Sequence, residues 1–390
     1  MLAFFEQQVR SYHYHTQVKF LTMSALTQTA PQTSSVFDQL AANDHEQVVF
    51  CHDPHSGLKA IIAVHNTVLG PAAGGTRMWT YASEADALTD VLRLSRGMTF
   101  KNAVAGLNIG GGKAVILGDA RKDKSELLFR TFGKYVHNLN GKYITAEDVG
   151  ISTQDIEYMA METPYVSGKP ESMGGSGDPS PFTAHGVYMA MKACAKKVYG
   201  SESLAGKKVA VQGIGHVGEA LVANLAKENA VIYVADIYED LLKAVAQKYK
   251  VEVVPTDSIY DVEMDIYAPC ALGATLNDDT LGRLKCAIVA GAANNQLKDE
   301  KIHADLCKQK GILYAPDFLI NSGGIINVYY EIIGNYNRQR VVEHTERIYE
   351  YTLNLIDTAA QEQVNTHEAA VSIALKRIAA IEKLKRTYIA

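Results

Sequence analysis

The chain has 390 residues, 47% of them hydrophobic and 21% charged, which supplies apolar surface for a large core and excludes a disordered or fibrous polymer. Lys and Arg total 38 against 43 Asp and Glu, a net charge of −5 without a long single-sign block, so nucleic acid and anionic membranes are excluded as general partners. The length points to two domains. Five scattered cysteines (Cys51, Cys194, Cys270, Cys286 and Cys307) form no C-x-x-C pair and no ligand-like spacing with histidine. That argues against a disulfide framework or a metal site and for a reducing, cytoplasmic setting. No apolar run reaches the roughly 18 residues that a membrane-spanning helix needs, so a soluble protein is expected.

Residues 1–35 are rich in Gln, Thr and Ser, with Glu6 as the one acidic residue, and lack an apolar run followed by a small-residue cleavage site. They read as a disordered or non-native N-terminal extension, with Met23 as an alternative start; the other option is an acid-poor transit peptide carrying Arg10 and Lys19.

Residues 36–167 read as an α/β domain for substrate binding and catalysis. Strand-like runs at Gln47 to Cys51, Leu58 to Val64, Lys113 to Leu117 and Lys142 to Thr145 alternate with helical patterns. Ser83, Ser125 and Ser152 mark helix starts, the first followed by Leu88, Val91, Leu92 and Ser95 at helical spacing. The Gly/Ser/Pro-rich stretch Gly168 to Pro181 breaks the periodicity and marks the boundary. Residues 168–354 then show six short apolar runs: Lys208 to Gln212, Val231 to Ala235, Val251 to Val254, Asp265 to Ala268, Ala287 to Ala290 and Ile312 to Tyr314. Separated by helical or turn-rich segments, they predict a Rossmann-type, doubly wound parallel sheet. From Asn337 onward Val341, His344, Ile348, Tyr351 and Leu355 share a helical face, and the helices of about 355–390 are expected to return to the first domain.

The run Val209 to Gly218 places Gly213, Gly215 and Gly218 as G-x-G-x-x-G between a β-branched strand and a helical pattern. That context favours a dinucleotide site, with the glycines giving a tight turn, close approach to a pyrophosphate and close helix packing. Asp236 ends the next strand, where its carboxylate can accept from both ribose hydroxyls and would repel a 2′-phosphate. The following Ile237, Tyr238, Glu239 and Asp240 offer no cation, so NAD is expected over NADP; Asp236 as a helix cap is the alternative.

In the first domain Lys101 (M-T-F-K) and Lys113 (G-G-G-K) sit in apolar or glycine-rich surroundings, unusual for a residue that ordinarily stays solvated. Two lysines at one cleft lower each other's pKa, leaving one able to act as a base and the other to hold a carboxylate. Asp148, in A-E-D-V-G just past a strand, is either a helix cap or a proton carrier beside them. Gly273, Asn294, Asn295, Asn321, Gly323 and Gly324 follow later strands and are expected to face the same cleft or to be turn residues.

Together, GPAAGGTRMWTY, RGMTFKNAVAGLNIGGGKAV, YITAEDVG, SGDPSPFTAHGV, VQGIGHVG, APCALGA, GAANNQL and YAPDFLINSGGIINV resemble the leucine, valine and phenylalanine branch of the amino-acid dehydrogenases. The likeness runs from about Val36 to Gly334 and, more weakly, to the C-terminus, and lies nearest the leucine-specific members. It implies that Lys101 binds the substrate α-carboxylate, Lys113 activates water for attack on an imine, and Asp148 shuttles protons to and from the amino group. Gly74 and Gly75 would lie beside the substrate, Asn295 near substrate and nicotinamide, and Thr183 at the nicotinamide carboxamide. The implied reaction is NAD-dependent oxidative deamination of leucine, valine or isoleucine to a 2-oxo acid, by a homo-oligomer, commonly an octamer.

The side-chain pocket would be formed by Ala73, Ala146, Ile325 and Val328. Glutamate-using relatives place lysine and serine where this chain has Ala73 and Val328, so a γ-carboxylate would be buried unpaired. Leucine dehydrogenases usually carry leucine at the Ala73 position, which leaves an aromatic substrate as the alternative. A catalytically silent NAD-binding protein is the reading from another class, one that the intact Lys101, Lys113 and Asp148 set speaks against.

Overall fold

The computed structural model describes residues 35–387 except Leu272 and Asn335. Residues 1–34 of the expected extension lie outside this range, while Ser35 caps the first helix, α1 (Val36–Asn43), by accepting from the Asp38 N–H.

The first lobe is built on β1 (Gln47–Asp53), β2 (Leu58–Asn66), β3 (Ala72–Ala73), β4 (Thr76–Trp79), β5 (Gly110–Leu117) and β6 (Tyr143–Ile144), with α2 (Glu84–Val104), α3 (Glu126–His137) and α4 (Thr153–Ala160). Its strand order is β1-β2-β5-β3-β6, with β4 also paired to β5. β1, β2 and β5 run antiparallel in succession, and β3 and β4 lie parallel to β5. The period of two along a strand sorts side chains between the faces. Ala60, Ile62, Ala114 and Ile116 join Phe129, Phe132 and Ile156 of α3 and α4, whereas Ile61, Ala63 and Val115 join Leu88, Val91 and Leu92 of α2. Lys113 has the parity of Val115 and therefore belongs to the α2 face.

The glycines before Lys113 permit that helix to come close. A Cβ on Gly111 would lie 2.0 Å from Thr99 Oγ1 and 2.2 Å from the Thr99 nitrogen, so any side chain there would push α2 off the sheet. This close approach brings the last turn of α2, which carries Lys101, over the start of β5.

The second lobe begins at α5 (Ser180–Tyr199) and alternates β7 (Lys208–Gln212), α6 (His216–Lys227), β8 (Val231–Ala235), α7 (Glu239–Lys248), β9 (Val251–Val253), β10 (Ile266–Pro269), α8 (Asp278–Arg283), β11 (Ile288–Val289), α9 (Glu300–Gln309) and β12 (Leu313–Tyr314). All its strand pairs are parallel, in the order β12-β11-β10-β7-β8-β9. This is the doubly wound sheet expected from the sequence, with apolar layers on both faces. The chain reverses direction across the sheet between β7 and β10, where a crevice opens at the strand C-termini.

Five helices complete the chain: α10 (Asp317–Ile320), α11 (Gly323–Ile332), α12 (Arg338–Glu346), α13 (Ile348–Glu362) and α14 (Thr366–Thr387). The helical face read from Val341 to Leu355 is split at Arg347, which ends α12 and precedes α13. Of the helices expected to return, α13 packs on α5 of the second lobe and α14 on α2 of the first. Ala374 and Ile378 of α14 share a cluster with Leu69, Phe100 and Ala103, and Arg377 donates to the carbonyls of Ala103 and Leu107. Among the described residues, no helix is long and apolar enough to cross a membrane.

Candidate active site

A cleft of about 1370 Å³ lies between the lobes. The first lobe lines it with Ala73, Gly74, Gly75, Lys101, Lys113, Ala146 and Asp148, and the second with Thr183, Asn295, Ile325 and Val328. Asn294, Asn321 and Gly324 also line it. Gly273 and Gly323 do not: a Cβ on Gly323 would lie 1.9 Å from the Phe182 carbonyl oxygen, so that glycine serves the packing of α11 on α5.

Lys113 is buried, and its Nζ lies 2.7 Å from Asp148 Oδ2. Asp148 is held by the local backbone, since the N–H groups of Thr76 and Met78 donate to the Ala146 and Val149 carbonyls and run A-E-D-V alongside β4. It is not a helix cap; Ser152 occupies that position for α4. Burial works against the Asp148 charge, but Lys113 and Arg77 outweigh it and hold the carboxyl below its ordinary range.

The two lysines have different surroundings in the cleft. Desolvation lowers the Lys101 ammonium to about 8, with Asp317 opposing and Lys113 adding to the shift. Lys113 instead has a carboxylate as its direct partner. Spacing along the chain cannot reveal which of two lysines receives the counter-ion.

Gly213, Gly215, Gly218 and Asp236 lie outside the cleft lining, while Val217 in the first turn of α6 does line it. Gly213 has φ +98°, and a Cβ there would strike Ala271 at 2.7 Å. A Cβ on Gly218 would lie 2.0 Å from the Gly213 carbonyl oxygen, whereas one on Gly215 would meet nothing within 4 Å. The loop is therefore packed tightly on its protein side and open at Gly215, the N-cap of α6, where no side chain caps the helix. Asp236 Oδ2 accepts from the Ile214 N–H at 2.6 Å and Oδ1 from the Tyr238 N–H at 2.9 Å, which fixes the carboxylate at the end of β8; the N-cap of α7 is Tyr238. An open helix N-terminus with a fixed carboxylate one strand away fits a dinucleotide.

The pattern described as "Glu/Leu/Phe/Val dehydrogenase, dimerisation domain" matches residues 45–165, and "Glutamate/Leucine/Phenylalanine/Valine dehydrogenase" matches 174–241 and 233–386. The chain belongs to this family. It is an amino-acid dehydrogenase with a nucleotide cofactor. It is 52% identical to leucine dehydrogenase of Thermoactinomyces intermedius over 91% of this chain and 96% of that one. It is 49% identical to phenylalanine dehydrogenase of Lysinibacillus sphaericus over 86% and 88%. The structure of L-tryptophan dehydrogenase from Nostoc punctiforme superposes with a TM-score of 0.79 at 41% identity, covering 89% of this chain and 99% of that one.

Asp317 and Arg77, both in the cleft lining, have no role in the sequence reading. Asp317, at the start of α10, is buried and accepts from the Gln296 N–H at 3.2 Å and the Phe318 N–H at 2.8 Å. Arg77 on β4 reaches Asp148. Arg77 stands beside Gly74 and Gly75 in a motif already singled out, but its partners follow only from the pairing of β4 with β5.

Proposed function

We propose that this enzyme catalyses the reversible, NAD-dependent oxidative deamination of branched-chain L-amino acids, leucine with valine and isoleucine, to 2-oxo acids and ammonia. The observation that carries the reading is the ion pair of Lys113 with Asp148, in one cleft with Lys101 of the same lobe and Thr183, Val217 and Asn295 of the other.

In this reading the α-carboxylate pairs with Lys101, restoring to that amine the charge that desolvation disfavours. The substrate ammonium gives a proton to the Asp148 carboxylate and becomes the neutral amine that oxidation requires. Gly213, Gly215 and Gly218 would hold the pyrophosphate, Asp236 the ribose, and Thr183 and Asn295 the nicotinamide end; when bound, the oxidised dinucleotide supplies the hydride acceptor, leaving an iminium at the substrate carbon. With Asp148 protonated, Lys113 has lost its anion and faces the cations Lys101 and Arg77, so its proton passes to solvent. The neutral amine then takes a proton from water as the oxygen bonds to the iminium carbon. Asp148 returns its proton to the nitrogen, the C–N bond breaks, and the hydroxyl proton of the collapsing carbinolamine leaves with ammonia as ammonium. One substrate hydride and one proton have then left, Lys113 is again protonated, and Asp148 is again a carboxylate.

Ala73, Ala146, Ile325 and Val328 line the cleft and would form an apolar wall against the substrate side chain, on which a γ-carboxylate would be buried unpaired. Ala73 also supports a second reading, a preference for a bulkier aromatic amino acid. NADH formation assayed with leucine, valine, phenylalanine and glutamate decides between them: we expect turnover with leucine and valine, none with glutamate, and NAD favoured over NADP. Turnover with phenylalanine far above leucine would support the second reading, and no turnover with any of them would support a silent binding protein. Ala73→Leu should raise the ratio of kcat/KM for leucine over phenylalanine about tenfold or more, since pocket volume of one to three methylenes is worth roughly 1–3 kcal/mol each. We also propose a homo-oligomer, possible as an octamer, for which light scattering gives the mass directly. The match of residues 45–165 to a pattern described as a dimerisation domain supports it.

A further inference from the structure

The Asp148 carboxylate is gripped by two cations on the same oxygen. Oδ2 lies 2.7 Å from Lys113 Nζ and accepts from Arg77 Nε at 3.2 Å. Arg77 is held from its far side as well: Nη1 donates to Asp90 Oδ2 at 3.0 Å, and that oxygen also accepts from the Tyr81 hydroxyl at 2.7 Å. The register explains the reach. Arg77 lies opposite Val115 on the β4–β5 pair, and Asp90 stands in the first half of α2, the helix covering that face. The guanidinium thus ties α2 to the segment after β6, with separate edges of its plane engaged by two carboxylates, a geometry that a lysine cannot copy.

We propose that Arg77 is a positioning residue for the proton transfers, oriented by Asp90 and Tyr81, which keeps Asp148 in place and charge-compensated while Lys113 gains and loses its proton. The inference rests on the roles given above to Asp148 and Lys113. Alone, Lys113 and Asp148 would share protons as a coupled pair, and the loss of one proton would hold back the other. A group that never deprotonates breaks that dependence. It favours return of the proton from Asp148 to the leaving nitrogen, and when Asp148 is protonated its positive charge helps expel the proton of Lys113.

The charged and titratable groups that face Asp148 are Lys113 on β5, Arg77 on β4, Lys101 on α2, Tyr143 on β6 and Tyr81 beyond β4. Burial raises both tyrosines, which leaves them neutral through the working range. Arg77 favours the carboxylate form, so its loss raises the pH at which Asp148 becomes a carboxylate, and the acid limb of activity must move upward.

The test compares wild type with R77Q, R77K, D90N and D148N through kcat and kcat/KM against pH, with dinucleotide Kd by fluorescence and thermal melting alongside. R77Q should lower kcat about 10- to 100-fold and move the acid limb up by about one pH unit, with the amino-acid KM changed less than about threefold and dinucleotide Kd unchanged. R77K should restore the limb more than the rate. D90N, which keeps the charge at position 77 but frees its far side, should lower kcat and leave the limb in place. An unmoved limb in a folded R77Q, or a loss confined to KM, overturns the proposal. If R77Q does not fold, R77K and D90N decide in its place: wild-type kcat in both overturns it. If D148N retains turnover, the role given to Asp148 fails instead, independently of Arg77.

Discussion

Replacing Lys113 by alanine should lower kcat by about two to four orders of magnitude, the usual worth of a positioned general base, while dinucleotide affinity stays within about twofold. The separation follows from the fold. Lys113 lies on β5 of the first lobe, whereas the glycine loop and Asp236 stand at the ends of β7 and β8 in the second. The lysine also lies against Asp148, so the truncation removes one of two cations from that carboxylate and leaves Arg77 as its remaining partner. That residual pairing should prevent collapse of the site, and the variant should bind NADH and amino acid yet fail to hydrate the iminium. Fluorescence titration with NADH and stopped-flow turnover measure the two properties separately. Near-normal kcat in the alanine variant would remove Lys113 from the chemistry. Added primary amines offer a further check: partial rescue that rises with pH would identify the missing group as a neutral amine.

The parts of the molecule legible in the sequence are those fixed by local rules. The β7 run Lys208 to Gln212 and the β8 run Val231 to Ala235 coincide with the strands observed, because β-branched stretches between glycine turns have one reading in a parallel sheet. Ser83 and Ser125 cap their helices through side-chain oxygens, and at the start of α4 the Asp155 carboxylate accepts from both the N–H and the hydroxyl of Ser152. β3 and β4 carried no such signal: Ala72–Ala73 is two residues long between a proline and two glycines, and only its neighbours β5 and β6 make it a strand. The residue types of the candidate site were legible, but not which of them pair. Lys101, Lys113 and Asp148 stand out by type and surroundings, yet which lysine meets the carboxylate depends on the facing of β5 and on the line of A-E-D-V beside β4. Arg77 was hidden for the same reason, since β4 pairs with a strand more than thirty residues further along the chain.

Replacing Lys101 by alanine should act mainly on KM, raising it for the amino acid by roughly two orders of magnitude or more, since removing one partner of a desolvated charge pair typically costs about 2–5 kcal/mol. The same lysine predicts a pH dependence in the wild type. Burial lowers its ammonium to about 8, so before substrate binds Lys101 is cationic below that pH and neutral above it. The carboxylate of the substrate binds the cationic form, and the amino-acid KM should therefore be flat on the acid side and rise above about pH 8, by up to tenfold per unit, until solvent takes over its role. Asp317 sharpens the test. It comes from α10 of the second lobe, packs with α2, and favours the charged form of Lys101. Asp317→Asn should move the onset of the KM rise to lower pH, whereas Lys101→Arg, which stays charged, should abolish it at the expense of a looser fit. A KM that is level across the alkaline range in the wild type, or a Lys101→Ala variant whose defect lies in kcat alone, would mean that the carboxylate is held elsewhere. The neighbouring cations Arg77 and Lys113 are both already committed to Asp148, so the search for that group would turn to the other cations of the lining, Arg93, Arg96, Lys298, Lys301 and Lys376.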